Sequence, residues 1–212
     1  MPLNGAPISS QGPSSPPPTA SASPSASPKA TPSKAPTTTT TKFVFPVAGT
    51  VSYAHVHHDY PATDIMAKCG SQVRAVTNGV ILDVTRVDKW KPRVNAGATR
   101  GGLSISIKGD DGVRYYGSHL EYINPSIAPG GRVAAGQALG KVGETGDASA
   151  CHLHFGISPV CKGTGDWWTQ RGVIWPWSYL DSWRKGGSKS PVAEIKAWQS
   201  KHGCPTKPLV DP

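Results

Sequence analysis

The segment Cys151-His152-Leu153-His154-Phe155-Gly156-Ile157 alternates polar and apolar residues, which is the pattern of a half-buried β-strand. Side chains alternate across a strand, so His152 and His154 share one face about 7 Å apart, while Leu153 and Phe155 face a core. The segment predicts a strand whose two imidazoles can serve one reaction centre. The tripeptide alone leaves open whether they form such a site or are two solvated histidines.

Two other clusters supply groups of the same chemistry. One is His55-Val56-His57-His58-Asp59-Tyr60-Pro61-Ala62-Thr63-Asp64-Ile65, and the other is Tyr115-Tyr116-Gly117-Ser118-His119-Leu120, at the end of a predicted strand. Imidazole and carboxylate are ligands that Zn²⁺ accepts, and a catalytic zinc takes three protein ligands and leaves the fourth position to water. The sequence therefore offers a third ligand and a base.

In their order along the chain these motifs resemble the LytM/lysostaphin-type family of zinc metallopeptidases, which cut peptide bonds in bacterial cell walls. The matching elements, from roughly residue 43 to residue 160, are a His…Asp pair, Tyr116-x-x-His119-Leu120, Gly136-Gln137-x-x-Gly140-x-x-Gly143-x-Thr145-Gly146 and His152-x-His154-Phe155. Four ordered motifs are far more specific than any one of them.

The resemblance implies a role for each matching residue. Asp64 and His154 would bind Zn²⁺ together with one upstream histidine. His119 and His152 would stay off the metal and act on the water and the tetrahedral intermediate. No glutamate stands in an HExxH-like helical position, so imidazole must do the general-base work.

The third zinc ligand is ambiguous in the sequence. The family spacing His-x-x-x-Asp would put a histidine at position 60, which is Tyr60. His58 lies six residues before Asp64, so a regular strand would put both on one face, and we take His58 as the ligand. His57 is the alternative, because Pro61 disturbs the ladder and a bulge would shift the facing. His57 also resembles the first half of the zinc motif in the related D-Ala-D-Ala dipeptidases.

Three further polar residues near these motifs are not predicted to act. Glu144 lies in the glycine-rich segment Gly143–Gly146 and is interpreted as a turn residue. His55 is interpreted as a solvated or groove residue. His202 lies outside the motif region.

Composition divides the chain into three parts. Residues 1–42 hold ten of the 21 prolines and no carboxylate, which predicts a disordered linker or stalk. Residues 43–185 would form the metallopeptidase domain and residues 186–212 a C-terminal extension with one short helix. The start Met1-Pro-Leu-Asn-Gly5 lacks a basic, apolar signal peptide. No segment reaches the roughly 18 apolar residues of a membrane span.

The domain has a β pattern. Predicted strands are 43–45, 72–76, 79–87, 103–108, 113–116 and 132–133, with a hairpin turn at 109–112. Residues 90–102 form a loop that either walls a groove or is idle, and helices are predicted at 176–183 and 191–201. The resemblance implies an all-β fold, with a single antiparallel sheet or sandwich and a short helical addition.

Four cysteines, Cys69, Cys151, Cys161 and Cys204, allow three disulfide pairings. We favour Cys151–Cys161, which flank the His-x-His strand, and Cys69–Cys204. A zinc tetrathiolate is disfavoured because the chain has no Cys-x-x-Cys pair.

Charge and motifs together suggest the partners. The net charge of +9 favours polyanions, and no nucleic-acid recognition motif appears, so peptidoglycan and anionic cell-wall polymers fit best. The predicted function is a zinc endopeptidase that cleaves stem or cross-bridge peptides, monomeric and secreted or wall-associated. The alternative is a non-catalytic cell-wall binder or a regulator of another hydrolase.

Overall fold

Nine antiparallel strands frame the part of the chain that this computed structural model describes, residues 42–208. They are β1 (Val51–Ser52), β2 (Thr63–Ala67), β3 (Gln72–Arg74), β4 (Gly79–Thr85), β5 (Leu103–Gly109), β6 (Val113–Ile123), β7 (Arg132–Val133), β8 (Ala138–Val142) and β9 (His152–Pro159). The helices are α1 (Trp167–Gln170), α2 (Trp177–Arg184) and α3 (Val192–His202). The predicted antiparallel β fold with short C-terminal helices is confirmed.

Strand β9 lies in the middle of the sheet. The main order is β1-β2-β9-β6-β5-β4-β7, while β8 pairs with both β3 and β6. Leu153, Phe155 and Ile157 of β9 are at most 3% exposed and face the core, as the alternation predicts. The opposite face of β9 is therefore left for His152 and His154.

The helices cover the sheet with aromatic side chains. Trp183 of α2 stacks on Phe43 with ring centroids 4.9 Å apart. Ile195 of α3 is 4% exposed within the same core, so the C-terminal extension packs on the domain. Within residues 42–208 no helix has the length and apolar character needed to cross a bilayer. The predicted stalk lies outside the described residues except for its last position.

The predicted strand at 43–45 is absent, and strand β8 was not predicted. Phe43 and Phe45 are buried but form no strand, because Pro46 has no N–H to donate to a ladder, and only an isolated bridge joins Val47 to Val73. Strand β8 was missed because Gly140 interrupts its apolar alternation. A Cβ at Gly140 would lie 2.2 Å from the carbonyl oxygen of Tyr122, so glycine is needed for the close approach of β6.

The disulfide pairing predicted from the sequence was also wrong. The bonds are Cys69–Cys151 and Cys161–Cys204. The eight residues of β9 separate Cys151 from Cys161, and at about 3.3 Å per residue they span roughly 26 Å, far beyond the reach of a disulfide. Pairing of β2 with β9 instead brings Cys69 to the start of β9.

A buried ion pair fixes the segment that precedes α1. Arg114 of β6 donates to both carboxylate oxygens of Asp166, at 2.9 and 3.0 Å, and the two side chains are 0% and 1% exposed. Arg114 also donates to the carbonyl of Lys162. Bidentate pairing of this kind holds a fixed geometry, so α1 is held against β6 and β9.

Candidate metal centre

Asp64 and His154 lie directly opposite each other on β2 and β9, and Ser118 of β6 lies opposite His154 on the other side. Residues opposite each other in an antiparallel pair project from the same face of the sheet. Nδ1 of His154 is 3.0 Å from Oδ1 of Asp64. His152, two residues before His154, places Nε2 at 3.7 Å from the same oxygen. Strand register therefore gathers two imidazoles around one carboxylate.

His119 reaches the same face through a bulge in β6. Leu103 pairs with Leu120 and Ile105 with Gly117, so the register shifts by one residue between these two pairs. Regular alternation would turn His119 away from the groove, and the bulge re-aims it. Its φ of 65° is rare for a non-glycine residue and is the kind of backbone strain that clusters at functional sites. The His119 and His152 rings lie 4.6 Å apart.

His57 and His58 lie in a loop, because β2 begins only at Thr63. The loop turns at Asp59, whose φ is 58°. The His57 side chain is 3% exposed and places Nε2 at 3.6 Å from Oδ2 of Asp64. The His58 side chain is 72% exposed and places Nδ1 at 2.8 Å from Oδ2 of Asp59. The strand parity that favoured His58 in the sequence therefore does not apply here.

Each of the four inward-facing histidines has one ring nitrogen against a backbone carbonyl. The pairs are His57 Nδ1 with Tyr60 (3.0 Å), His119 Nδ1 with Thr145 (2.7 Å), His152 Nδ1 with Ala150 (2.8 Å) and His154 Nε2 with Arg171 (2.9 Å). A carbonyl oxygen only accepts, so the ring nitrogen that faces it carries the proton, and in a neutral ring the other nitrogen keeps its lone pair. The backbone thus sets which nitrogen is free in His57, His119 and His152. The remaining nitrogen of His154, Nδ1, faces Oδ1 of Asp64 and can bind a cation only in place of that hydrogen bond.

The charge states of the cluster suit a cation. Burial, with a smaller contribution from the charge of His154, lowers the pKa of His57 to about 4 and that of His119 to about 3. Burial alone would raise the pKa of Asp64, but the hydrogen bond from His154 and the nearby imidazole charges outweigh it and hold that pKa well below its usual range. At neutral pH these two imidazoles are neutral and the carboxylate is ionised, which are the states that coordinate metals.

The donor atoms fit a zinc ion. Zn²⁺ prefers a small set of neutral imidazoles and carboxylates, and catalytic sites use three of them. His57, His58 and Asp64 can bring one ligand atom each within 4.8 Å of one another, and His154 contacts the same carboxylate. Burial and the approach of Nε2 to Asp64 favour His57 over His58 as the partner of Asp64 and His154.

An open groove of about 300 Å³ lies over the cluster. Gly97, Ala98, Arg100 and Gly101 line it, so part of the 90–102 loop forms a groove wall. The sequence did not predict a second set of lining residues, Tyr60, Trp167, Gln170 and Arg171. Three of them belong to α1 or follow it directly, and this single helical turn is too short to show a periodicity, while Tyr60 lies in the loop before β2, so only the fold reveals these positions.

The remaining polar candidates lie away from the groove. His55 stacks on Trp177 with centroids 4.3 Å apart and pairs with Asp181 at 3.3 Å. His202 stacks on Trp198 at 4.8 Å. Neither of these histidines lines the groove. Glu144 does not line it either, and its side chain is exposed.

Gly156 allows the backbone of Arg171 to reach His154. Gly156 follows His154 by two residues on β9 and faces the same side. A Cβ at Gly156 would lie 2.3 Å from the carbonyl oxygen of Arg171, the atom that accepts the His154 hydrogen bond. Glycine at this position is therefore part of the geometry of the candidate metal site.

The chain is similar to known proteins in sequence and in fold. Residues 46–164 match the model of peptidase family M23. Glycyl-glycine endopeptidase ALE-1 of Staphylococcus capitis is 38% identical over 93 residues, which are 43% of this chain and 22% of that protein, so the chain spans about a fifth of that relative. The structure of lytM from Ruminococcus gnavus ATCC 29149 covers 71% of this chain and 63% of its own, with 21% identity and a TM-score of 0.54, and supports the fold. The catalytic domain of lysostaphin from Staphylococcus simulans covers 62% of this chain and 93% of its own, with 25% identity and a TM-score of 0.48.

Metal retention is expected to separate the two upstream histidines. His57→Ala should lose most bound zinc, because it removes a buried nitrogen that faces Asp64, whereas His58→Ala should retain it. Zinc is measured by elemental analysis after dialysis of each purified variant. The opposite order would assign the ligand role to His58.

Gly156→Ala is expected to weaken zinc affinity about 10- to 100-fold, because the new Cβ displaces the Arg171 carbonyl that orients His154. Gly163→Ala is the matched control, since its Cβ would meet nothing within 4 Å. Competition with a chelating dye measures both affinities. Equal zinc affinity in the two variants would contradict the orienting role of the carbonyl.

Proposed function

This chain belongs to peptidase family M23, and on that premise we propose that it is a zinc-dependent endopeptidase that hydrolyses peptide bonds in bacterial cell-wall peptidoglycan. The observation that carries the proposal is the set of four histidines around Asp64, each oriented by a hydrogen bond between one ring nitrogen and a backbone carbonyl. Such fixed tautomers are needed for ligands and bases and serve no purpose on a solvated surface.

The proposed zinc ligands are His57, Asp64 and His154, with His58 as the alternative to His57. They present Nε2, a carboxylate oxygen and Nδ1, and the other nitrogen of each imidazole donates to a carbonyl. When bound, zinc supplies a Lewis acid that lowers the pKa of water towards about 7 and polarises a peptide carbonyl.

His119 and His152 are proposed to handle protons and developing charge. Each donates its Nδ1–H to a backbone carbonyl and turns Nε2 towards the groove. A neutral Nε2 can accept a proton from water, and once protonated it can donate a hydrogen bond to the oxyanion or the leaving amine. Burial lowers the pKa of His119 to about 3, so its imidazole is neutral at neutral pH.

The proposed setting is outside the cytoplasm, on the anionic cell wall, with the protein acting as a monomer. Two disulfides suit an oxidising compartment, and the net charge of +9 suits carboxylated and phosphorylated wall polymers. The relative ALE-1 is a glycyl-glycine endopeptidase, which is consistent with a peptide substrate for this chain.

Digestion of purified walls tests the function. The zinc-loaded protein is expected to release new amino termini from at least one defined wall type, which mass spectrometry identifies, and Asp64→Ala should release none. One zinc per chain with no new amino termini from any wall type would instead favour the non-catalytic wall binder.

His119→Ala and His152→Ala are expected to keep zinc but to lower turnover by a factor of order 10² or more, because they remove a base or an oxyanion donor. His202→Ala is the control, since it removes an imidazole that does not line the groove. Metal analysis and kinetics are run on the same preparations. Loss of zinc from His152→Ala with retention in His154→Ala would exchange the roles of these two residues.

A further inference from the structure

The side chain of Arg171 is clamped between two aromatic rings at the edge of the metal cluster. Its Cζ lies 4.1 Å from the ring centroid of Tyr60 and 4.8 Å from that of Trp167. The residue is 9% exposed and lines the groove. Because both rings pack against the guanidinium, little rotamer freedom remains, and its in-plane N–H donors are left for an acceptor that enters the groove.

This buried cation has no carboxylate partner within the described residues. The arginine ion pairs in residues 42–208 are those of Arg100, Arg114 and Arg132. No protein acceptor within hydrogen-bond distance of the Arg171 guanidinium is seen in that range either. A largely desolvated guanidinium without a partner is costly, and a ligand that supplies an anion offsets this cost.

A second arginine in the same groove differs in this respect. Arg100 donates through Nε and Nη2 to Oδ1 of Asn95, at 3.1 and 2.5 Å, and lies 3.8 Å from Asp147. Two of its five N–H donors are therefore engaged within the protein, and a carboxylate already lies beside it. Of the two guanidiniums, Arg171 is the one prepared to receive a ligand.

The position of Arg171 suits a group close to the bond that is cut. The Tyr60 ring beneath the guanidinium lies 4.7 Å from the His57 ring and 5.8 Å from the His154 ring. An extended peptide advances about 3.3 Å per residue, so a group that meets Arg171 lies within about three residues of the scissile bond.

We propose that Arg171 determines specificity by binding a free carboxylate of the substrate peptide, so that the enzyme selects stem peptides with a carboxylate within about three residues of the scissile bond over uncharged glycine runs. This inference rests on the proposed function. A carboxylate matches the planar fork of a guanidinium with two parallel hydrogen bonds, which a carboxamide cannot reproduce.

Paired peptides test the proposal. Each pair is identical except that one carboxylate near the scissile bond is replaced by a carboxamide, and a pentaglycine peptide is added. The zinc-loaded full chain is expected to show kcat/KM at least about tenfold higher for the carboxylate, as charged hydrogen bonds are typically worth this much. Arg171→Gln should bring the ratio close to one, and Arg171→Lys should restore part of it. Equal rates on both members by the unmodified protein would overturn the inference.

Arg100→Gln is the matched control, because it removes one positive charge from the same groove. It is expected to keep the carboxylate preference. If it lowers the preference as much as Arg171→Gln does, the overall positive electrostatic potential of the groove is responsible for the preference. The assignment to Arg171 then fails. Zinc content and thermal melting of every variant show whether the fold is intact.

Binding separates this inference from the proposed function. Calorimetry with each peptide pair on zinc-loaded His119→Ala measures affinity without turnover. Tighter binding of the carboxylate, abolished by adding Arg171→Gln, supports the inference even if no wall is digested. Equal affinity for both members overturns it even if the protein proves to be an active endopeptidase.

Discussion

The hydrogen-bonded register of β2, β9 and β6 is the constraint on which the site depends. Asp64, His154 and Ser118 face the groove together only because they lie opposite one another. A slip of one residue would turn Ile65 into the groove and push the carboxylate into the core, which is unfavourable for both side chains. The Cys69–Cys151 bond ties the ends of the same two strands. Apolar packing below the sheet thus enforces the polar arrangement above it.

Backbone carbonyls add the second level of order. They come from separate segments, next to β2, before β9, in the glycine-rich turn and after α1, and each fixes one imidazole. The last of these segments is held by the buried Arg114–Asp166 pair and approaches β9 only because residue 156 is glycine. The orientation of the rings is therefore established when the chain folds, and an ion or a substrate that bound there would not need to reorganise it.

Periodicity in the sequence predicts the parts of the site that lie on regular strands and fails where regular strands end. Alternation correctly placed His152 and His154 on one face of β9 and the apolar residues on the other. It could not decide between His57 and His58, because a loop with a left-handed residue obeys no strand parity. The bulge at His119 has no local sequence signal. The disulfide pairing could be predicted only with the length of β9 and the identity of the strands beside it. Arg171 could not be predicted because it comes from a segment without a repeating pattern.

Arg171 serves the groove with two different groups, its carbonyl on His154 and its guanidinium between Tyr60 and Trp167. If binding at the guanidinium displaces the backbone of Arg171, it also changes the hydrogen bond between the carbonyl and His154. Thermodynamic linkage makes such coupling reciprocal, so any gain in metal affinity from an anionic ligand equals the gain in ligand affinity from the metal. The affinity for the metal and the affinity for an anionic ligand then rise or fall together.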